Sequence, residues 1–476
     1  MSIRAAASNS KCHAPTRSQS RVRTQMISRA TRTATLSISL LLGCSESPAP
    51  APAPAPSPAD AGIDHGKVAF DPTKVIETLT PGATQREPSV EIDSQGNVWI
   101  AFIDFPKLGV NDPHVRYTRS TDGGRTFEPS KELCSNCADP ALAIDSHDRV
   151  FLATIDRNAP RSARLTRIDA LPDNPGAPVV VSNPSDSSPD REWIAVGPND
   201  EVFLTWNAGA VENSALYFTK SIDHGKSIAP SVRIVTPLPG ETVVYGAMAI
   251  GPGGSINVAF PSGALDITGS DITTNHIGFT RSNDGGKTFS APVSVPMSAE
   301  QPAPGPLGNG SFKALFINWP SIAVLPSGEA LVTWPAQRAN APDAVDIVTS
   351  RTADGKTFSA PIPADSEGAT MRTMPWSNVG DDGALHVFWL DTRNYPGGKN
   401  APWDVYYARS VDGARTFEAS QKLSAARFFG DPGERVSYAI GEFNAIRARK
   451  DAVYIVWSGA VADDVDIFIA RGTVER

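Results

Sequence analysis

The sequence has 476 residues, of which 38 are Gly and 41 are Pro, and only 20% are charged. This composition favours a turn-rich globular protein over a helical one. Residues 1–43 contain seven Lys or Arg and no Asp or Glu, so their removal changes the formal net charge from −8 to −15. An acidic domain without a basic patch is a poor match for nucleic acid, whose phosphates are neutralised by clustered Lys and Arg. We therefore expect no nucleic-acid partner.

The N-terminal segment has the pattern of an export signal. Basic residues extend to Arg32, an apolar run follows at residues 36–42, and Gly43 precedes Cys44. The run is too short to cross a bilayer as a helix. Residues 1–43 are therefore predicted to be a signal peptide, and a true start at Met26 would give a signal of ordinary length.

Residues 41–44, Leu-Leu-Gly-Cys, resemble a bacterial lipobox, in which the chain is cut before the cysteine and the new terminus is acylated. The resemblance implies that Cys44 is lipidated and that the exported protein is anchored at the outer membrane or cell surface. An ordinary secretory signal cut nearby is the alternative. Residues 44–65 are predicted to be a linker, because the alternating prolines of Ser47 to Pro58 favour polyproline II, roughly 35–40 Å long over twelve residues.

Two cysteines remain in the expected mature domain, Cys134 and Cys137. An exported protein can keep a disulfide between them, and this is the preferred interpretation. Free thiols or a redox role are the alternatives. A zinc site would need two further ligands, and the sequence has neither a second cysteine pair nor a spaced histidine pair. We therefore expect no metal and no cofactor.

Seven segments share one pattern, in which a short apolar strand, a turn with Gly or Asp and a longer alternating strand follow one another. Period-two alternation on both sides of a turn indicates a β-hairpin. The segments are Pro88–Asp104, Pro140–Asp156, Glu192–Asn207, Gly246–Pro261, Pro320–Pro335, Met374–Asp391 and Phe443–Gly459. Third strands are predicted at His114–Ser120, Ala163–Asp169, Ala215–Ser221, His276–Ser282, Asp346–Thr352, Asp404–Ser410 and Asp466–Gly472.

Five of the third strands continue into one kind of turn. The turns are Ser120–Phe127, Ser221–Ile228, Ser282–Phe289, Thr352–Phe358 and Ser410–Phe417. They resemble the Asp box, Ser-x-Asp-x-Gly-x-Thr-Phe/Trp, of sialidases and other BNR-repeat proteins, which implies a β-propeller of four-stranded antiparallel blades. The Asp can accept bonds from nearby backbone N–H groups and the glycines adopt positive φ, so the turns are expected to be structural.

A fourth strand is expected after each turn, as at Phe127–Cys134 and Phe417–Ser424. The last repeat lacks one, whereas Phe70–Leu79 matches the fourth-strand pattern with no strands before it. This N-terminal strand is therefore predicted to complete the last blade and to remove an exposed strand edge. The sequence thus predicts an all-β fold, with a propeller of seven blades, or alternatively six, at residues 66–476.

Chemistry is expected where the innermost strands begin, because these segments converge at the axis of a propeller. The resemblance to sialidases implies three arginines that bind a substrate carboxylate, a Tyr nucleophile activated by Glu, and an Asp acid/base. The candidates for the carboxylate are Arg86, Arg191 and Arg372. Tyr438 and Glu442 are candidates for the nucleophile pair, Asp139 for the acid, and Trp319 and Trp376 for further substrate contacts.

These assignments have structural alternatives. The match to the sialidase pattern at Arg86 is partial, since Glu87 replaces an apolar residue and Gln85 an aromatic one. No motif fixes the other candidates. In the alternative interpretation, Arg191 and Glu192 form a salt bridge between blades. In the same interpretation, Tyr438, Trp319 and Trp376 are core residues.

Three functions remain open at this point. The first is a cell-surface, sialidase-like glycoside hydrolase that acts on sialic acid or another acidic glycan. The second is a non-catalytic propeller, expected to be a monomer, that binds a glycan or protein partner at the membrane, since fold alone does not confer function. The third is a structural subunit of an envelope complex.

Overall fold

The protein is described by a computed structural model over residues 66–77, 84–107, 110–169, 174–183, 185–265, 272–301, 303–304, 319–368, 370–395, 402–425, 428, 441–461 and 464–475. The chain divides into two units, Met1–Ala55 and Pro56–Arg476, and every described residue lies in the second. The predicted signal peptide, Cys44 and the linker up to residue 65 lie outside the described residues.

The described chain is all-β, with one 3-10 turn at Val211–Asn213. Two short strands come first, β1 (Lys67–Phe70) and β2 (Lys74–Val75). Repeat 1 comprises β3 (Thr84–Ile92), β4 (Val98–Phe105), β5 (His114–Ser120) and β6 (Lys131–Ser135). Repeat 2 comprises β7 (Cys137–Ile144), β8 (Val150–Asp156), β9 (Ser162–Asp169), β10 (Asn174–Pro175) and β11 (Val179–Val180). Repeat 3 comprises β12 (Asp190–Val196), β13 (Val202–Ala208), β14 (Ala215–Ser221) and β15 (Val232–Val235).

The remaining strands follow the same plan. Repeat 4 comprises β16 (Thr242–Val243), β17 (Ala247–Ile250), β18 (Ile256–Leu265), β19 (Ile272–Ser282) and β20 (Val293–Ser294). Repeat 5 comprises β21 (Ala303–Pro304), β22 (Ser321–Val324), β23 (Ala330–Arg338), β24 (Ala341–Thr352) and β25 (Ile362–Asp365). Repeat 6 comprises β26 (Arg372–Val379), β27 (Leu385–Asp391), β28 (Asp404–Ser410) and β29 (Gln421–Lys422). Repeat 7 comprises β30 (Ala445–Arg449), β31 (Ala452–Val461) and β32 (Asp464–Glu475).

Within each repeat, the strands that neighbour each other in the sheet pair antiparallel, and the described strands form six sheets. Repeats 2 to 6 each form one sheet of four or five strands. Repeats 1 and 7 share a nine-stranded sheet, joined by a parallel contact between Thr84 and Val465. The core lies between neighbouring sheets, so second strands such as β4 and β13 are buried on both faces. Strands covered on both faces consist largely of apolar residues.

The two N-terminal strands pair with the last strand of the chain. β1 runs antiparallel to β32 from Lys67 opposite Glu475 to Phe70 opposite Gly472, and β2 continues this pairing at Lys74 and Val75. The sequence predicted one strand over Phe70–Leu79, whereas the observed strands lie on either side of Pro72, which has no N–H to donate to a ladder.

Neighbouring repeats are linked at the turns between their first two strands. The backbone N–H and hydroxyl of Ser94 donate to Asp148, at 2.7 and 2.5 Å. In the same way Ser146 donates to Asp200, at 3.0 Å for both bonds. Asp148 and Asp200 have positive φ angles of 59° and 63°. These bonds lie at equivalent places in successive repeats and were not predicted from the sequence.

The five aligned turns after the third strands share one hydrogen-bond pattern. In the first, Asp122 accepts from the backbone N–H of Thr126 at 2.8 Å and from its hydroxyl at 2.6 Å. The hydroxyl bond, the backbone bond and a bond from Ser120 lower the pKa of Asp122. The same hydroxyl-to-carboxylate bond recurs at Asp223, Asp284, Asp354 and Asp412. These carboxylates therefore accept hydrogen bonds within their own turns.

Candidate functional site

The innermost strands of all seven repeats line one cavity of about 310 Å³. These strands are β3, β7, β12, β17, β22, β26 and β30. Ala143, Ala195, Ala249 and Ala323 occupy equivalent lining positions, and their short side chains leave the space open. At the same level Arg447 donates to Glu91 through Nε, at 2.7 Å.

Four innermost strands carry a β-bulge near their start. Pairing shifts register between Arg86 and Ser89 and at the equivalent places of β7, β12 and β26. Each bulge contains a non-glycine residue with positive φ, and these residues are Glu87 (57°), Asp139 (55°), Arg191 (48°) and Met374 (52°). Such angles strain a residue with a side chain and are concentrated at functional sites. Bulges also re-aim side chains.

Three of these bulges and the segment before β30 bring polar groups together. We call Glu87, Asp139, Asp190, Arg191, Glu192 and Glu442 the entrance cluster. Arg191 donates to Glu442 through Nε at 2.9 Å and through Nη2 at 3.2 Å, and to Asp190 through Nη1 at 2.5 Å. The backbone N–H of Arg191 donates to Asp139 at 3.3 Å. The backbone N–H of Glu442 donates to Glu87 at 3.1 Å.

The close approach of Glu442 to this cluster depends on Gly441. A Cβ atom at Gly441 would lie 2.3 Å from Cγ of Glu87, and the φ angle of Gly441 is +69°. A side chain at this position is therefore excluded both by contact and by backbone conformation. The chain can bring Glu442 over Arg191 only because residue 441 is glycine.

Burial raises the pKa values of four carboxyl groups in the cluster. Desolvation, followed by repulsion from Asp139, raises the pKa of Glu87 and of Glu192 well above the ordinary Glu value. Burial and then Asp190 raise the pKa of Asp139. Burial also raises the pKa of Glu442, although Arg191 opposes it. Glu192 is only 2% exposed, and neither of its carboxyl oxygens has a hydrogen-bond partner among the described residues. Burial therefore disfavours the charged form of these carboxyl groups.

The two arginines differ in environment. Burial disfavours the charged form of Arg191, but Glu442 and Asp190 outweigh this effect and raise its pKa. For Arg86, burial lowers the pKa, and Glu87 and Glu442 offset only part of it. The guanidinium carbon of Arg86 lies 4.1 Å from the centre of the Phe105 ring. Arg191 is thus held by carboxylates, whereas Arg86 stacks on an aromatic face.

Aromatic residues of repeats 3 to 7 lie beside the cluster. The guanidinium carbon of Arg191 is 5.4 Å from the Trp319 ring centre, and Trp319 stacks on Tyr245 at 4.6 Å. Trp193 and Trp376 stack on each other with ring centres 5.4 Å apart, and both line the cavity. Trp319 and Trp376, two predicted substrate contacts, are 5% and 6% exposed and belong to the core.

Arg372 does not join the entrance cluster, which corrects the expectation from the sequence. Its side chain is fully buried and donates to Asp391 at 3.1 Å, to Asp346 at 2.8 Å and to the carbonyl of Glu367. Each guanidinium nitrogen has a partner. The physical reason is its position relative to the bulge. Arg86 comes one residue before Glu87, whereas Arg372 comes two before Met374, and successive strand residues point to opposite faces.

The other predicted residues are placed as follows. Asp139 and Glu442 lie in the entrance cluster, Arg86 lies beside it, and Tyr438 is outside the described residues. Arg191 forms an ion pair between repeats, as the structural alternative predicted, but its partner is Glu442 and not Glu192. The sequence analysis gave no functional role to Glu87 and considered Glu192 only as part of a salt bridge. The available signal was the X-Pro dipeptide that recurs at the bulges in Glu87-Pro88, Asp139-Pro140 and Met374-Pro375.

A disulfide and a group of charged side chains lie outside the cluster. Cys134 and Cys137 form a disulfide. Asp145, His147 and Asp200 place potential metal-ligand atoms within 4.8 Å of one another. However, Arg149 donates to Asp145 at 2.5 Å and to Asp200 at 3.3 Å, so this group is a network of ion pairs. Among the described residues, no helix has the length and hydropathy needed to span a membrane.

Comparison with known proteins shows similarity of fold. No family model and no curated protein matches the chain. A protein of unknown function from Dyadobacter fermentans is 15% identical, with a TM-score of 0.50 over 86% of this chain and 99% of that one. A sialidase from Trypanosoma rangeli is 10% identical (TM-score 0.49; 85% of this chain, 59% of that one). An ulvan lyase of polysaccharide lyase family PL25 is 13% identical (TM-score 0.49; 80% and 94%). Sialidases and polysaccharide lyases are thus among the structural neighbours, and at these identities the likeness concerns the fold alone.

Proposed function

We propose that the chain is a seven-bladed, BNR-type propeller whose entrance cluster processes acidic glycans in the manner of a sialidase-like glycoside hydrolase. The architecture is supported by the seven innermost strands around one cavity and by the pairing of β1 and β2 with β32. The N-terminal strands would then complete the seventh blade.

The observation that carries the function is that the cluster combines a guanidinium with carboxyl groups of raised pKa. Glycoside hydrolysis needs a carboxylic acid that is still protonated at working pH and can donate to the leaving oxygen. Asp139 has a raised pKa and, unlike Glu192, is only partly buried. We assign the acid role to Asp139. Arg191 and Arg86 would bind the substrate carboxylate, and Tyr438, activated by Glu442, would be the nucleophile.

The test is hydrolysis of fluorogenic glycosides of sialic acid and of uronic acids by the full chain. We expect cleavage with retention of configuration, and a loss of about 10²–10⁴ in kcat for Asp139→Asn, the usual contribution of general acid catalysis. Tyr438→Phe should lose turnover while it keeps substrate affinity. Glu212→Gln, which changes an exposed carboxylate outside the cluster, is the matched control. No turnover of any acidic glycoside by the wild-type chain would refute the hydrolase.

A second candidate is a binding propeller without catalysis. It is favoured by the contacts of Arg191, since Glu442 and Asp190 already occupy its guanidinium and Arg372 lies elsewhere. In that case the same glycans or their sugar acids bind without cleavage, and Arg86→Ala weakens binding by roughly tenfold to a hundredfold. Tyr438→Phe would then have no effect.

We also propose that this propeller is a monomer exported to the bacterial surface and anchored there by lipid on Cys44. Its support is the lipobox-like segment and the proline-rich spacer of the sequence. The anchor would hold the entrance cluster within reach of glycans near the membrane.

A further inference from the structure

The disulfide between Cys134 and Cys137 joins two neighbouring repeats next to the bulge that carries Asp139. Cys134 lies in β6, the fourth strand of repeat 1, and Cys137 is the first residue of β7, the innermost strand of repeat 2. Only two residues separate them. The stabilisation that a disulfide provides by closing a loop is smallest for short loops. A general stabilising role is therefore a weak explanation for this bond.

The bond instead restrains the chain immediately before the bulge that carries Asp139. Asn136 and Asp139, on either side of Cys137, have positive φ angles of 51° and 55°. Pairing of β7 with β8 is regular at Cys137 and Ala138 and then shifts register before Ala141. Asp139 accepts the backbone N–H of Arg191. The direction of the Asp139 side chain thus depends on a backbone that the disulfide fixes two residues earlier.

One of the two cysteines is also accessible from a cavity. Both cysteines line a cavity of about 260 Å³ together with Asp156, Arg164 and Asn158. Cys137 is 1% exposed, whereas Cys134 is only partly buried. A reagent in the cavity therefore meets Cys134 first. Arg164 and Asp156 in the cavity wall form an ion pair with each other.

We propose that the Cys134–Cys137 disulfide is a thiol–disulfide exchange site for a dithiol reductant, and that its redox state controls the position of Asp139 in the entrance cluster. A thiolate of the reductant attacks Sγ of Cys134, the bond between the cysteines breaks, and its electron pair leaves on Cys137, which takes a proton. The second thiol of the reductant then displaces Cys134 from the mixed disulfide. Two cysteine thiols and an oxidised reductant result. The proposal holds whether or not the cluster is catalytic.

The first experiment measures exchange on the folded full chain. The protein is incubated with dithiothreitol under native conditions, alkylated, and analysed by mass spectrometry, while far-UV circular dichroism monitors folding. We expect both Cys134 and Cys137 to be alkylated in a chain with an unchanged spectrum. If they become alkylated only after unfolding, the exchange site is refuted.

The second experiment measures the link to Asp139. The backbone amide of Arg191 is protected by Asp139, so its hydrogen exchange, followed by mass spectrometry with residue-level fragmentation, reports their contact. Reduction should increase this exchange at least tenfold and leave the central strand β13 unchanged. Asp139→Ala in the oxidised chain calibrates the value expected without the contact. Reduced protein with wild-type exchange at Arg191 would overturn the proposed control.

A variant without the cysteines separates redox chemistry from reagent effects. The double substitution Cys134→Ser and Cys137→Ser should show the fast exchange at Arg191 without reductant and should not respond to it. If this variant does not fold, the reduced wild-type chain still provides the measurement. A folded variant with slow, wild-type exchange contradicts the proposal. None of these readouts uses turnover, so failure of the hydrolase leaves them interpretable.

Discussion

Replacing Arg372 tests whether this residue supports the fold or contacts a ligand. Arg372→Met keeps the length of the side chain but leaves Asp391 and Asp346 without the guanidinium between them. Breaking a buried ion pair on one side costs about 3–5 kcal/mol. Arg393 remains beside Asp391, and Arg338 remains beside Asp346. We therefore expect the lower end of this range, about 3 kcal/mol in the free energy of unfolding.

The effect can be measured as a change in melting temperature. At roughly 2.1 cal/mol/K per residue and on the order of 400 folded residues, 3 kcal/mol corresponds to about 4 °C. Thermal unfolding followed by circular dichroism measures it. Arg233→Met is the control, because Arg233 is exposed and its side chain contacts Tyr217 at the surface. If Arg372→Met melts within 1 °C of the wild type, the structural role of Arg372 is wrong.

Three further predictions concern ionisation, the N-terminal strands and the anchor. The raised pKa of Glu192, caused by burial and then by Asp139, means that the folded chain keeps a proton that the unfolded chain loses. The free energy of unfolding should therefore fall as pH rises from about 4.3 towards the raised pKa of Glu192. Glu192→Gln should remove this contribution to the pH dependence, which urea unfolding at pH 5 and pH 8 measures. An equal pH dependence in the variant and the wild type would contradict the assignment. Deletion of residues 66–77 removes six positions paired with β32 and should lower the free energy of unfolding by about 3–6 kcal/mol in the same assay. An unchanged unfolding midpoint would show that these strands do not stabilise the fold. Cys44→Ala should release the folded chain from the membrane fraction and abolish labelling by fatty acid, and a wild-type chain that is never labelled would disprove lipidation.

The strand pattern was predictable because alternation and turn residues are local properties of the sequence. The third strands at His114–Ser120 and Asp404–Ser410 have the predicted bounds. The fourth strands are shorter than predicted, and β29 has only two residues, Gln421 and Lys422. Edge strands have a partner on one side only, so their length depends on tertiary contacts that no local pattern reveals.

The candidate site was predictable only in part. Asp139, Arg191 and Glu442 were selected because they lie near the starts of innermost strands, and the structure brings them together. The error at Arg372 comes from one residue of offset relative to the bulge, and a bulge changes which face of a strand a side chain occupies. The sequence also does not show that the carboxyl group of Glu192 lacks a hydrogen-bond partner, because the neighbouring Arg191 binds Glu442 instead.

The stacked rings of Trp193 and Trp376 connect the innermost strands of repeats 3 and 6, two non-adjacent repeats around the central cavity. Their indoles lie at one end of the central cavity, on the side of Arg191 and Trp319. The two rings therefore narrow the cavity at this end. If the proposed hydrolase acts on a long glycan, we therefore expect it to act on chain ends rather than on a chain threaded through the cavity.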